Sequence, residues 1–337
     1  MSDGKVSVLI VNGIGNTGTV DVFFANSFGK ISYNTSGSCN TFGFLPRELK
    51  KSHFVIDHLE QQEISIKHIL THDIIFCEIS DPDSHSMALK KAQHLFGLVK
   101  DKIPWINDPN LVLNTRRDTM SQLLSGIDGV IAPKALRLKP LTIKRIEFAI
   151  ASNEFSLPVL IRPSGSHGGK NLVLIKSLAE LKKVDLSNYE DAFITEYVDF
   201  ESNNVFTKYR FAVVAGEPIL RHVIFSDDWI IHSESRNYMA DNPQFQELEA
   251  EIIENFEHDL KLRVEGRLHE IYKKIGLDYF GIDCAIKNDQ IILFEVNANM
   301  NMLTNNQPKP NVWEKQIETI IQKLVDNLIV ARVKNQT

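Results

Sequence analysis

The stretch from Tyr279 to Met302, YFGIDCAIKNDQIILFEVNANMNM, constrains the fold more than any other part of this chain. Two apolar runs flank a short polar turn at Lys287–Gln290 and read as the two strands of a tight hairpin. The first strand carries Asp283, and the second ends in Glu295 and Asn297. Residues two apart on a strand share a face, so Glu295 and Asn297 point the same way, and a turn at 287–290 brings Asp283 beside them. Acidic and amide residues at strand ends more often shape turns or sit in water. Glu295 differs because it interrupts the apolar run IILFEV, where a bare carboxylate is costly to bury unless it is paired or bound to a metal. Three hard oxygen donors at the end of an apolar hairpin suit a magnesium ion that also holds phosphates.

A second segment, FSLPVLIRPSGSHGGKNLVLIKS at residues 155–177, pairs two short apolar strands with a small, glycine-rich connection. Val159–Ile161 is closed by Arg162, the loop runs Ser164–Lys170, and Leu172–Ile175 follows as a strand. Gly165, Gly168 and Gly169 allow backbone N–H groups to approach phosphate oxygens, and Arg162 and Lys170 flank the loop with positive charge. The loop is not a P-loop. Gly165 to Gly169-Lys170 is one residue short of G-x-x-x-x-G-K-[ST], Asn171 stands where Ser or Thr is needed, and a strand follows where a helix is required. The expectation is a hairpin that folds over a nucleotide as a lid, or else an ordinary flexible turn.

Length and composition fit an enzyme with several lobes. A chain of 337 residues builds two or three compact units with substantial cores, and 43% hydrophobic with 24% charged residues is ordinary for a globular protein. The net charge of −6 argues against a broad nucleic-acid surface. Cys39, Cys77 and Cys284 are odd in number and lack C-x-x-C spacing, so free thiols and a cytoplasmic location are expected. The start, MSDGKVSVLIVNGIG, has too short an apolar run for a signal peptide, and no run suits a membrane span.

The first hundred or so residues read as a separate α/β lobe. Val6–Val11 and Asp73–Ile79 are expected strands, and Ser84–Lys102 is an expected helix with Ala88, Ala92, Leu95 and Val99 on one stripe. NGIGNTG after the first strand matches G-x-G-x-x-G at Gly13, Gly15 and Gly18. The following TVDVFFANSFG is not a clean helix and no ribose-binding acid is evident, so a turn facing an inter-lobe cleft is the better reading than a dinucleotide site. NTSGSCNTFGF at 34–44 is a surface loop or a substrate loop.

Further on, helices are expected near 116–124, 141–152 and 244–275, strands at 193–197, 206–215 and 218–225, and a last helix at 312–331 with Ile317, Ile321, Leu324 and Leu328 on its packed face. His167, His222, His232 and Arg236 are polar residues whose roles divide between structure and direct contact with a ligand.

Together these segments resemble the ATP-grasp superfamily of carboxylate–amine ligases, over roughly residues 110–330 and in matching order. NTRRDTMSQLL (114–124) resembles the helix that opens the grasp region, and VLIRP with SGSHGGK resembles the nucleotide-contacting strand and its phosphate loop. FITEYVDF (193–200) resembles the segment that holds adenine between two lobes. KYRFAVVAGEPI (208–219) resembles the strand pair from which an arginine reaches the phosphates, and DCAIKNDQIILFEVNAN resembles the source of the metal ligands. The closest look is to the branch of ribosomal-protein glutamate ligases and peptide-modifying ligases. Arg162 stands where many members have lysine, and Thr119 follows Asp118 where a lysine is common; arginine still binds phosphate through two parallel bonds.

The resemblance implies an α/β ATP-grasp fold with an N-terminal pre-ATP-grasp-like lobe. The expected division is 1–108 as a substrate-side lobe, 109–200 as a central lobe with the phosphate loop, and 201–337 as a lobe with the metal site. It implies ATP, with magnesium (or manganese) held by Asp283, Glu295 and Asn297. Nucleotide contacts would come from Arg162, Gly165, Ser166, His167, Gly168, Gly169, Lys170, Glu196, Tyr197, Val198 and Glu201, with Arg162 and Arg210 steadying the transferred phosphate. The implied reaction joins a carboxylate to an amine through an acyl phosphate, on an amino acid, small acid or peptide, in a homo-oligomer. The alternatives are an ATP-binding regulatory module without ligase chemistry, or an NAD-dependent oxidoreductase built on NGIGNTG.

Overall fold

The computed structural model describes residues 5–25, 31–34, 41–59, 64–152, 154–166, 169, 171–186, 189–298 and 300–335. Fifteen strands lie among them. β1 (Ser7–Gly13), β2 (Asp21–Ala25), β3 (Ile31–Asn34), β4 (Lys50–Ile56), β5 (Ile74–Cys77) and β6 (Trp105–Ile106) fall in the N-terminal part. β7 (Val130–Ile131), β8 (Ala135–Leu138), β9 (Val159–Pro163), β10 (Val173–Ile175) and β11 (Ala192–Glu196) follow. The last are β12 (Phe206–Val214), β13 (Glu217–Ser226), β14 (Tyr279–Lys287) and β15 (Gln290–Asn297).

The N-terminal sheet has the order β4-β1-β5-β6, and each pair in it is parallel. β1 is buried at every position, as expected of a central parallel strand covered on both faces. The helix Ser86–Val99 packs on it through Ala88, Leu89, Ala92, Leu95 and Val99. Gly13 is glycine because a Cβ there would lie 2.7 Å from the Ala88 Cβ, so only a bare backbone lets the strand end meet the helix. The segment after NGIGNTG forms β2, paired with β3, and not a helix. The helix N-terminus on which a dinucleotide pyrophosphate would rest is therefore not supplied there.

The central sheet, β10-β9-β11-β8, is wholly antiparallel and packs on the helix Ile143–Ala151 around Ile146, Phe155, Val159, Ile161, Ile175 and Ile194. The C-terminal sheet has the order β13-β12-β14-β15-β7. Its first four strands are antiparallel, and β7, which precedes the central sheet in sequence, joins its edge in parallel with β15. Helices Pro243–Glu254 and Leu260–Ile275 stand where helices were expected, separated by a short turn at Phe256–His258, and Ser235–Asp241 adds a helix that the sequence reading did not place. The final helical run begins at Trp313, with Ile317, Ile320, Leu324 and Leu328 buried.

One continuous apolar core joins the N-terminal and C-terminal sheets, whereas the central sheet has a core of its own. Asn107, fully buried at the end of β6, stitches the first two together. Its side-chain amide donates to the carbonyls of Tyr279 (2.7 Å) and Ala298 (3.2 Å), and its Oδ1 accepts from the backbone of Asp278 and Tyr279 (both 2.9 Å). No described helix is long and apolar enough to cross a membrane.

Candidate active site

The hairpin β14–β15 turns at Asn288 and Asp289, both with positive φ (52° and 61°), which is the two-residue turn that matches strand twist. Its register sets Asp283 directly across from Glu295 and Gly281 across from Asn297. The register shifts after Asp283, so Phe294 is an extra residue on β15. Asp283 is buried in the middle of a sheet and survives there by pairing. Arg210, its cross-strand neighbour on β12, grips both carboxylate oxygens (Nε–Oδ1 2.7 Å, Nη2–Oδ2 2.8 Å), and the Lys208 ammonium lies 3.4 Å from Oδ2. Burial alone would push this carboxyl up; the charges of Arg210 and Lys208 outweigh it and hold Asp283 below the usual carboxylate range.

Glu295 is half-buried and accepts from Arg117 Nη2 (3.0 Å), while Arg117 Nη1 donates to the Phe294 carbonyl (2.9 Å). Asn297 donates its amide to Glu295 Oε1 at 3.3 Å. Arg162, on β9 of the central sheet, faces this pair from across the cleft. Burial pushes its guanidinium down to about 9, Arg117 adds to the shift and Glu295 opposes it. Among the described residues no acceptor is hydrogen-bonded to Arg162. Four cations, Arg117, Arg162, Lys208 and Arg210, thus share the neighbourhood of two carboxylates, Asp283 and Glu295. Four cations around these two carboxylates leave a local positive surplus that an anionic ligand would stabilise.

The glycine-rich loop reaches across both neighbouring lobes. At Gly165, with φ +69°, a Cβ would lie 3.4 Å from Ser84 Cβ of the N-terminal lobe. Gly169, φ +76°, lies against Ile230 of the C-terminal lobe, where a Cβ would come within 2.9 Å of Ile230 Cγ2. Only glycine fits that backbone and that gap. Ser166 donates its hydroxyl to the Pro163 carbonyl (2.8 Å), which closes the turn below the loop. His167, Gly168 and Lys170 lie outside the described residues. The cleft beneath the loop is lined by Asp81 and Asp83, Arg116 and Arg117, Gly165 and Ser166, and Glu295 to Asn297.

The expected adenine segment runs off the end of β11. Glu196 accepts from the Lys134 backbone N–H (3.2 Å), Tyr197 packs edge-on to Trp229 (5.8 Å), and Val198 shares a small apolar cluster with Phe200, Ile231 and Phe294. That cluster links the segment to the β14–β15 hairpin through Phe294, the neighbour of Glu295. Glu201 is exposed and opens the tight turn Ser202–Val205.

Arg236 is held by the buried Glu249 and lies over the Trp313 ring (4.4 Å), which gives it a structural role away from solvent. His222 is buried beside Trp313 (5.4 Å); burial, and then Arg210 and its neighbouring cations, push its pKa well down, so it is neutral. His232 accepts from the Glu234 backbone N–H (3.0 Å) in the turn before Ser235–Asp241. Lys208 was not singled out from sequence, and Arg117 was noted only with Arg116 as one of two arginines before Asp118, with no partner assigned. Lys208 had a signal, because it stands two residues from Arg210 on one strand and so shares its face. Arg117 had none, because its partner lies 178 residues away.

Glu295 and Asn297, neighbours on one face at the hairpin end, are the residues that would hold magnesium, Asn297 by its amide oxygen once its amide no longer donates to Glu295. Asp283 already accepts from Arg210 at both oxygens, which leaves it a second lone pair on each to offer an ion. Among the described residues no cluster of three or more His, Cys, Asp or Glu side chains stands ready for a metal, so an ion here would need the Asn297 oxygen and ligand phosphates to complete its shell.

No protein-family model matches this chain, and no curated protein matches it in sequence. Solved structures do. VanG D-Ala:D-Ser ligase from Enterococcus faecalis superposes with a TM-score of 0.55 at 14% identity, covering 97% of this chain and 100% of the other. D-alanine–D-alanine ligase from Bacillus anthracis in complex with ATP gives 0.54 at 14% identity, covering 98% and 99%. N5-carboxyaminoimidazole synthetase from Staphylococcus aureus in complex with ADP gives 0.52 at 13% identity, covering 95% and 79%. The chain is an α/β protein with the ATP-grasp fold, its N-terminal lobe a parallel α/β sheet and its cleft lying beneath the glycine-rich loop of the central lobe.

Proposed function

We propose that this protein is an ATP-dependent ligase that joins a carboxylate to an amine. The observation that carries this reading is the grouping, about the end of the β14–β15 hairpin of an ATP-grasp fold, of Arg117, Arg162, Lys208 and Arg210 with Asp283, Glu295 and Asn297. Magnesium, when bound, would supply charge neutralisation for the phosphates. Glu295 and Asn297, with Asp283, are the residues that would hold it, and Arg210 would be the cation offered to a phosphate. Arg162 offers a desolvated guanidinium whose charge is worth more there than in water. The substrate carboxylate takes the γ-phosphoryl group from ATP, leaving ADP. The amine then attacks the acyl carbon, the C–O bond to phosphate breaks, and the amine gives up a proton. Gly165 and Gly169, pressed on the lobes to either side, exclude the water that would hydrolyse the activated acid. The segment Glu196–Val198, with Glu201, is the proposed seat of the adenosine.

The substrate is an amino acid, a small acid or a peptide; motif order favours the branch of ribosomal-protein glutamate ligases and peptide-modifying ligases. The test is ADP and phosphate release with magnesium-ATP against pooled amino acids, small carboxylic acids and peptides, with mass spectrometry of the products. A product mass equal to two substrates less water, with stoichiometric ADP, is the expected result. A second reading, an ATP-binding module without ligase chemistry, is favoured by one observation: both Asp283 oxygens accept from Arg210. It predicts thermal stabilisation by magnesium-ATP with no product from any pool.

A further inference from the structure

β13 carries one residue more than its partner requires. Arg210 stands opposite His222 and Phe211 opposite Leu220, so Arg221 is the inserted residue of a β-bulge. Bulges re-aim side chains, and this one sends a guanidinium into the protein. Arg221 is only 2% exposed, and burial, with Arg210 and Arg236 adding to it, pushes its pKa down to about 9, which still leaves it charged at neutral pH. Burying a cation is costly unless its donors are used.

Its nearest carboxylate does not meet that need. Glu249 already accepts from both terminal nitrogens of Arg236, from the Val223 N–H (3.0 Å) and from Trp313 Nε1 (3.0 Å). The directed contacts of Arg221 go instead to the carbonyls of a single segment: Nε to Met302 (2.6 Å) and Nη2 to Thr304 (2.9 Å), with the guanidinium face on Trp313 (4.6 Å). This segment, 300–304, begins three residues after Asn297 and is anchored by Met302 and Leu303, both buried. Its Asn301 carbonyl accepts from Arg210 Nη1 at 3.1 Å. Arg210 is therefore fixed on one side by Asp283 and on the other by a carbonyl whose position depends on Arg221.

We infer that Arg221 is a positioning residue for Arg210, acting through the strap 300–304. This rests on the ligase reading for its functional consequence, but not for its structural one. The fork geometry matters, because two carbonyls two residues apart need two donors held in one plane. Lysine at this position keeps the charge and loses the fork.

The experiment compares the wild type with Arg221→Met, Arg221→Lys, Arg210→Met and the Arg210→Met/Arg221→Met double variant. Amide hydrogen exchange is followed in peptides covering 300–305, and magnesium-ATP affinity is followed by calorimetry. Arg221→Met is expected to speed strap exchange at least tenfold with β14 and the helix Leu260–Ile275 unchanged. It is also expected to weaken magnesium-ATP about tenfold, with Arg221→Lys intermediate. In the Arg210→Met background, Arg221→Met should weaken ATP less than twofold further, because the group it positions is gone. Unchanged strap exchange in Arg221→Met, or the full tenfold loss in both backgrounds, overturns the inference. Should the wild type bind no magnesium-ATP, the ligase reading falls, and strap exchange in the two single variants and the double variant decides the inference by its non-additivity. Should Arg221→Met not fold, the same comparison is made with Arg221→Lys.

Discussion

The central and C-terminal lobes are both antiparallel over most of their strands and both contribute cations to the cleft, yet they are attached in opposite ways. The C-terminal sheet shares a continuous apolar core with the N-terminal lobe and is sewn to it by Asn107. The central sheet has a private core and meets the N-terminal lobe through polar contacts. Arg137 on β8 forks onto Asp191 within its own lobe (2.8 and 2.6 Å) and reaches Asp83 across the gap (2.8 Å). Apolar cores come apart only at large cost, whereas a partly exposed ion pair is weak and reversible. The hairpin that would hold the metal is thus built into the shared core, and the loop that would cover the phosphates is carried by the lobe with the weaker attachment.

The comparison breaks most visibly at Asn107. Asn107→Ala removes side-chain bonds to four backbone groups in a dry joint, and a loss of about 4 kcal/mol is expected. Denaturant unfolding should show fluorescence and circular dichroism transitions falling together; a melted N-terminal lobe beside an intact C-terminal one would contradict a shared core. Ile194→Ala, in the private core of the central sheet, should cost about 3 kcal/mol. Its faster amide exchange should stay within residues 135–196, and spread into β14 would show that the lobes unfold as one. Arg162→Met is expected to weaken magnesium-ATP about 100-fold, or about 2.7 kcal/mol, on titration. It should leave the melting temperature level or slightly higher, because a desolvated cation is removed.

The smallest effect concerns pH. Burial pushes the Asp83 carboxyl up to about 6, against the pull of Arg137, with Asp81 and Asp118 adding to the rise and Arg116 opposing it. In the unfolded chain the group returns to the ordinary value of 3.8. The folded protein then binds more protons than the unfolded one between those two values, so this group favours folding as pH falls through about 6 towards 4 and loses that contribution as pH rises. Denaturant unfolding across this range should record this, and Asp83→Asn should flatten the profile. A profile of the same slope in that variant would assign the effect elsewhere.

Much of this was readable from the chain. The hairpin at 279–297 announces itself because its apolar runs and its Asn288-Asp289 turn agree, and the parallel N-terminal lobe follows from buried runs alternating with the Ala88–Val99 stripe. The shared face of Glu295 and Asn297 needed only the period of a strand. What was not readable came from two sources. Bulges at Phe294 and Arg221 shift register without a composition signal, and each re-aims a charged residue beside the site. Pairings that span long stretches of chain, such as Arg117 with Glu295 and Arg210 with Asp283, depend on tertiary closure. The second of these turns an expected metal ligand into one half of an ion pair.

The placement of β7 has a mechanical consequence. Because β7 precedes the central sheet but belongs to the C-terminal one, the chain leaves its parent sheet at residues 132–134 and returns at 197–205. The outgoing and returning strands touch where they cross, Glu196 N–H donating to the Lys134 carbonyl at 2.9 Å and Lys134 N–H to the Glu196 carboxylate at 3.2 Å. Two tethers side by side act as an axle: they permit swing about one line and resist twist about the others. Gly165 and Gly169 would lie at the rim of such a swing and Glu196–Val198 near its centre. A purine lodged at the axle would scarcely move while the rim rises and falls over its phosphates, so the base could be gripped before the lid comes down.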